Sequence, residues 1–108
     1  VKELIKYKGL QVAPAELEGI IQSHPAVADV AVIPSPDEEA GEIPKAFVVV
    51  KPDATLAADE VIAYVAERVS PQKKVRKVEF IDAIPKVSSG KILRRQLVER
   101  ERQSISNQ

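Results

Sequence analysis

The 108 residues suffice for one small domain with a modest core and are too few for two. Sixteen Lys and Arg balance sixteen Asp and Glu, so no overall field draws the chain to nucleic acid or an anionic membrane. With no cysteine and a single histidine there is no disulfide framework or thiolate chemistry and little from which to build a metal site; no apolar run reaches the roughly 18 residues that span a bilayer. No signal-peptide pattern opens the chain, and Ile105-Ser106-Asn107-Gln108 is no lipidation or peroxisomal address, so a cytoplasmic location is expected. The start inside a strand-like pattern, with no methionine anywhere, reads as a piece of a longer protein.

Residues 1–12 read as a junction and a hairpin, with β-prone residues on either side of Lys8-Gly9 and Gly9 supplying the turn. An α+β body is expected over 13–103, followed by a tail at 104–108. Pro14 sits at a first helical position, with Glu16 and Glu18 in the opening turns, and Leu17, Ile20 and Ile21 give that helix an apolar face before His24-Pro25 stops it. Two valine-rich runs, 27–33 and 43–50, predict paired strands separated by an acidic loop at 36–42. Thr55 is placed to cap a helix over about 56–69, whose buried stripe would be Val61, Ile62, Val65 and Val69. A further strand is expected at 75–81, stopped by Ile84-Pro85, with Phe80 in the core. The last helix, 92 to about 102, would turn Ile92, Leu93 and Leu97 inward and its arginines and glutamates outward. The fold class is therefore α+β: a small domain with an N-terminal β-hairpin, a central sheet of about three strands, and three helices.

The segment richest in chemical meaning is Pro85-Lys86-Val87-Ser88-Ser89-Gly90-Lys91, running into the basic, apolar helical pattern Ile92-Leu93-Arg94-Arg95-Gln96-Leu97. Gly90 lets the backbone bend and the serines keep the turn solvated. Lys91 would then project a compact cation from a helix start, where positive charge is unfavourable unless an anion is expected. A phosphate, or a carboxylate becoming an acyl phosphate, suits such a lysine. Spacing alone also fits an ordinary exposed turn lysine, since Ser-Gly-Lys turns are common. The segment is not a Walker A loop, which requires Gly where Pro85 stands and Ser or Thr where Ile92 stands.

Other features read more plainly. His24 before Pro25 is a helix stop rather than a ligand, and the carboxylates at 37–42 are a solvated loop rather than a metal site. Lys73, Lys74, Arg76 and Lys77 form a basic patch, but without interleaved aromatics they do not point to nucleic acid. Tyr64, at helical spacing, belongs to the core or its rim. Lys6-Tyr7-Lys8-Gly9 taken alone is a hairpin edge guarded by lysines.

Taken in series, Lys2-Glu3-Leu4-Ile5-Lys6-Tyr7-Lys8-Gly9-Leu10-Gln11-Val12-Ala13-Pro14, then His24-Pro25-Ala26-Val27, Pro36-Asp37 with Gly41-Glu42, and Ile84-Pro85-Lys86 through Ser89-Gly90-Lys91, resemble the C-terminal domain of the adenylate-forming superfamily. The resemblance runs from Val1 to about Arg100. Lys6-Tyr7-Lys8-Gly9 and Gln11-Val12-Ala13-Pro14 are similar to the branch holding 4-coumarate–CoA ligases, acyl-CoA synthetases and firefly luciferase, and differ from peptide-synthetase adenylation domains. Gln72, where many relatives have tyrosine, and Pro34-Ser35, in place of a commoner Gly-containing pair, depart from the pattern away from the proposed chemistry.

The resemblance implies a lid working with its own large N-terminal domain, which holds most of the ATP/AMP, Mg²⁺ and acyl site. A carboxylic acid is first adenylated, and coenzyme A then displaces AMP to give a thioester, with each step meeting a different face of the lid. Lys91 corresponds to the adenylation lysine, supported by the turn residues Ser89 and Gly90. Lys2 corresponds to the hinge and Lys6 to the lysine of the second half-reaction. Gly9 and Leu10 match the strip lining the pantetheine channel, Gln11 a residue facing the nucleotide, and Lys8 a contact to a coenzyme A phosphate. The same motifs are shared by a luciferase-like oxygenase, and the lid fold could also serve as a stand-alone binding module without catalysis. Alone, the domain is expected to be catalytically inactive.

Overall fold

The computed structural model describes residues 3–107. Two short strands, β1 (Ile5–Tyr7) and β2 (Leu10–Val12), form the expected hairpin. Helix α1 (Pro14–Gln22) follows, with Pro14 in its first turn, where the missing N–H costs nothing. Strands β3 (Val27–Asp37) and β4 (Gly41–Val50) make a long antiparallel ribbon. Helix α2 (Ala58–Ala66) and a 3₁₀ turn (Pro71–Lys73) lead to β5 (Lys77–Phe80), and α3 (Arg94–Ser106) closes the chain.

The sheet is mixed and five-stranded. Strand β4 pairs with β3 along one edge and shares the other between β1, joined at Tyr7–Gly41, and β5, which runs parallel to it over Lys45–Val48. A parallel neighbour requires a crossover, and α2 supplies it. The fold class is the expected α+β, with a sheet wider than three strands because the hairpin is stitched on at Gly41. Pro34 and Pro36 lie on β3, which among the described residues pairs only with β4 and so has an edge where no donor is needed.

Side-chain alternation divides the sheet into two buried faces. Val30, Val32, Ala46 and Val48 pack with Leu17 and Ile21 of α1 and Val61 and Val65 of α2. On the opposite face Ala31, Ile33 and Phe47 pack with Ile84 and with Leu97 of α3. Three layers result, with the ribbon in the middle. Among the described residues, no helix is long and apolar enough to cross a membrane.

Several expectations need correction. The acidic segment is not a long loop: the strands extend to Asp37 and Gly41, leaving a turn closed by the Asp37 carboxylate, which accepts the Ala40 N–H at 2.9 Å. Thr55 is not the cap of α2. That helix starts at Ala58, and Glu60 reaches back to accept the Ala57 N–H at 3.0 Å. Within it Val61 and Val65 are buried and Ile62 is only half-buried, while Val69, also half-buried, lies beyond the helix end at Ala66. Phe80 is not core: Val78 packs against the α1–α2 side, but Phe80 ends its strand and is 39% exposed. Helix α3 starts at Arg94, not Ile92, which pairs in extended conformation with Lys86. It runs on to Ser106 through most of the expected tail, since half-buried Ile105 continues the stripe of Leu97 and Glu101.

That stripe holds the largest departure. Glu101 was expected on the solvent side, yet it is buried against the sheet. Lys45 and Lys77 are register neighbours on β4 and β5, two cations side by side on the face that α3 covers. One oxygen of Glu101 accepts from Lys45; the other accepts from Lys77 at 2.6 Å and from the buried Ser35 hydroxyl at 2.7 Å. Lys45 also donates to Glu79 at 2.7 Å, and Arg100 closes the network on Glu79 at 2.8 Å. Burial alone would raise the Glu101 pKa. The hydrogen bonds from Lys45, Lys77 and Ser35, together with the Lys45 charge, outweigh burial and lower it from 4.5 to about 2.

A carboxylate whose folded pKa is depressed stabilises the fold above its unfolded pKa and loses that contribution as pH falls through the folded value. The window here is pH 4.5 down to about 2, corresponding to about 3 kcal/mol. Urea denaturation across this window should show Lys45→Met/Glu101→Leu losing less stability on acidification than the wild type. At neutral pH Glu101→Leu alone should cost about 3–5 kcal/mol by leaving Lys45 buried with too little negative charge, and the double variant should recover much of it. Parallel pH curves for wild type and double variant would contradict this account.

Candidate functional site

The sequence-predicted residues gather on two exposed loops of the rigid three-layer body. The first is the β1–β2 hairpin. Lys8 and Gly9 have φ of 49° and 81°, the pair of positive angles that a two-residue type I′ turn requires and that match the twist of the flanking strands. Ile5 and Val12 are buried and fix the hairpin from beneath. The β3–β4 turn grips its tip: the Lys8 N–H donates to the Ala40 carbonyl at 2.8 Å and the Lys6 N–H to the Glu42 carboxylate at 2.8 Å. Tyr7 lies under the Arg76 guanidinium, 4.4 Å from its ring centre.

With the backbone held this way, Lys6, Lys8, Gly9, Leu10 and Gln11 all remain exposed, and Leu10, 51% exposed, is conspicuous for an aliphatic side chain. The strip combines cations, a bare glycine, an apolar side chain and an amide. A Cβ on Gly9 would meet no atom within 4 Å, so the glycine leaves an open surface above the turn.

The second loop is a miniature hairpin. Lys86 and Ile92 pair across its base, the Leu93 N–H donates to the Pro85 carbonyl at 2.9 Å, and the Val87 N–H donates to the Lys91 carbonyl at 2.9 Å. The Gly90 N–H returns to the Val87 carbonyl at 2.8 Å, and Gly90 at φ 90° closes the three-residue loop as a left-handed bulge. Lys91 therefore lies on the returning arm of this hairpin, three residues before α3, and not at the helix start. Its side chain is exposed and has no ion-pair partner among the described residues, whereas Lys86 is paired with Asp29 at 2.6 Å.

Lys6, Lys8, Gly9, Leu10 and Gln11 thus share one hairpin, and Ser89, Gly90 and Lys91 share another. The two are anchored at opposite ends of the β3–β4 ribbon, one at Ala40–Glu42 and the other at Asp29. Lys2 lies outside the described residues. The basic patch is largely occupied internally: Lys73 pairs with Glu16 at 3.0 Å, Arg76 covers Tyr7, and Lys77 serves Glu101. His24 sits past the end of α1, accepting the Ala26 N–H at 3.0 Å and meeting the half-buried Tyr64 edge-on. Among the described residues no three His, Asp or Glu converge as a metal site. Sequence reasoning missed Asp29 altogether, and it noted Glu42 as part of a motif and Arg76 as part of a basic patch without seeing that they hold the first hairpin in place.

Residues 16–91 match the AMP-binding enzyme C-terminal domain. The chain belongs to that family. Its similarity to a 4-coumarate–CoA ligase-like protein from Oryza sativa subsp. japonica is 63% identity over 99 residues, which is 92% of this chain and 18% of that protein. Among solved structures, a Mycobacterium tuberculosis fatty acyl CoA synthetase superposes with a TM-score of 0.86 at 38% identity, covering 94% of this chain and 20% of the other. An anthranilate CoA ligase in complex with anthranoyl-AMP superposes with a TM-score of 0.87 at 31% identity, covering 95% and 20%. The chain spans about a fifth of the length of these relatives. The family match takes in Lys91 and leaves the first hairpin to be understood from its geometry.

In this AMP-binding C-terminal domain, Gly9 is required by its backbone angle and not by crowding. Gly9→Ala should lower stability by about 1 kcal/mol, and Gly9→Asn, which tolerates positive φ better, by less. Equal and negligible effects in urea denaturation would contradict the type I′ assignment.

Proposed function

We propose that this chain is the C-terminal lid of an ATP-dependent carboxylate–CoA ligase. The observation that carries the proposal is the pair of glycine-turned, lysine-bearing loops, anchored at opposite ends of one rigid ribbon in a domain of the AMP-binding family. A two-step reaction on one substrate site needs two sets of groups delivered in turn, and a rigid body with a loop at each end can deliver them by rotation. The Oryza sativa relative is named as 4-coumarate–CoA ligase-like, and the anthranilate CoA ligase structure is a complex with anthranoyl-AMP, which favours this reading over an oxygenase or a non-catalytic module.

In the first half-reaction a substrate carboxylate oxygen attacks the α-phosphorus of ATP and pyrophosphate leaves. Lys91, exposed and without an ion-pair partner among the described residues, neutralises charge on the carboxylate and phosphate oxygens as the bond forms. In the second, the sulfur of coenzyme A attacks the acyl carbon and AMP leaves. Lys6 then lies against the adenylate, Gly9 and Leu10 along the pantetheine arm, Gln11 against the nucleotide, and Lys8 against a coenzyme A phosphate. Lys2 is the proposed hinge. Any Mg²⁺ accompanying ATP would be held mainly with the proposed N-terminal domain and the phosphates themselves.

The test separates the half-reactions in the full-length enzyme. Lys91→Ala should reduce acyl-adenylate formation about 10² to 10³-fold, the usual scale for one electrostatic stabiliser, while leaving thioester formation from pre-made adenylate nearly unchanged. Lys6→Ala should do the reverse, sparing pyrophosphate release and slowing thioester formation about 10²-fold, near 2.7 kcal/mol. Equal loss of both half-reactions in either variant would overturn the two-face assignment.

A further inference from the structure

The loop carrying Lys91 is nearly detached. Between Pro85 and Leu93 its backbone hydrogen bonds are internal, Ser88 through Lys91 are exposed, and Ile92 supplies the apolar contact with the α3-side core. Its one side-chain tie to the body among the described residues is Lys86 with Asp29. Asp29 is unusually placed for this. It follows the register shift between Val27 and Asp29, where a bulge re-aims side chains, and its other oxygen accepts the N–H of Val30 at 2.9 Å, fixing the carboxylate before Lys86 meets it.

We propose that Asp29 and Lys86 are the positioning pair of the adenylation loop: Asp29 holds Lys86, and Lys86, at the base of the miniature hairpin, fixes where Lys91 points. The pair contributes little to folding, because both side chains are about one-third exposed, at 30% and 36%. Its effect is geometric. An ammonium group aimed at a developing charge loses much of its value when displaced by about 1 Å, an error that can cost up to about 10²-fold. Lys86 is thereby committed to Asp29 and does not itself touch substrate. The inference rests on the adenylation role proposed for Lys91.

The test uses the full-length enzyme with Asp29→Asn, Lys86→Ala, Lys86→Arg, the charge reversal Asp29→Lys/Lys86→Asp, and Lys91→Ala. Asp29→Asn and Lys86→Ala should each slow adenylation about 10-fold, leave thioester formation from pre-made adenylate unchanged, and keep the thermal midpoint of the wild type. Lys86→Arg and the charge reversal should restore most of the rate. Hydrogen exchange at the Val87 and Gly90 amides should quicken in Asp29→Asn and return with the reversal. Loss in Lys86→Ala but not in Asp29→Asn would mean that Lys86 acts directly and would overturn the proposal. So would unchanged adenylation in both when Lys91→Ala is impaired. Full adenylation activity in Lys91→Ala would instead remove the parent reading, and the positioning role with it.

Discussion

The structure depends on one carboxylate. Lys45 and Lys77 stand beside each other on parallel strands, on a face that must be buried if α3 is to pack. Lys45 is buried there and Lys77 partly exposed, and an uncompensated Lys45 ammonium would oppose the packing of the helix, since burying even one unpaired charge is severely unfavourable. Glu101 answers both, and Ser35 shares its second oxygen with Lys77. Because α3 follows directly from the Pro85–Leu93 loop, the register in which Glu101 seats α3 also sets where that loop leaves the body. A contact in the interior thus helps define a loop on the surface.

Both loops follow one scheme, fixed roots and bare tips. The first hairpin is rooted by Ile5, Val12 and the grip of Ala40 and Glu42, the second by Ile84, Ile92 and Asp29. Each tip turns on a left-handed glycine and exposes at least one lysine with no carboxylate partner among the described residues. The remaining cations are mostly spent on structure. A chain with no net charge can therefore present local positive charge at two points without becoming a general anion binder.

Legibility in the sequence followed the range of the interactions. Lys8-Gly9 between β-prone residues announced its turn because positive φ is a local property, and Pro14 announced α1 for the same reason. The strands of the ribbon were legible as valine runs, but their full length was not, since the carboxylates of Asp37 and Glu42 support the turn and the neighbouring hairpin through contacts that sequence does not reveal. Ile92 fits a helical pattern and was assigned to α3, whereas cross-strand pairing with Lys86 took it. Glu101 could have been suspected, four residues after Leu97 on the same stripe and answering a lysine inside the apolar run of β4. That inference requires knowing that β5 brings Lys77 alongside, a long-range fact. The exposed lysine loops were legible as motifs, and the residues that hold them were not.

Pro34 and Pro36 carry a consequence for how such a domain can move. They sit on β3, the strand with an unpaired edge, and remove two amide donors from it. An open edge with its donors intact invites another strand to dock, and a ladder of backbone hydrogen bonds is slow to break. Under the proposed two-step mechanism, a body that lets go of one surface and settles on another is better served by an edge that cannot zip. The prolines make the open flank of the ribbon a poor template for a further strand. In that mechanism adhesion falls to side chains at the loop tips, which can be exchanged without unravelling any sheet.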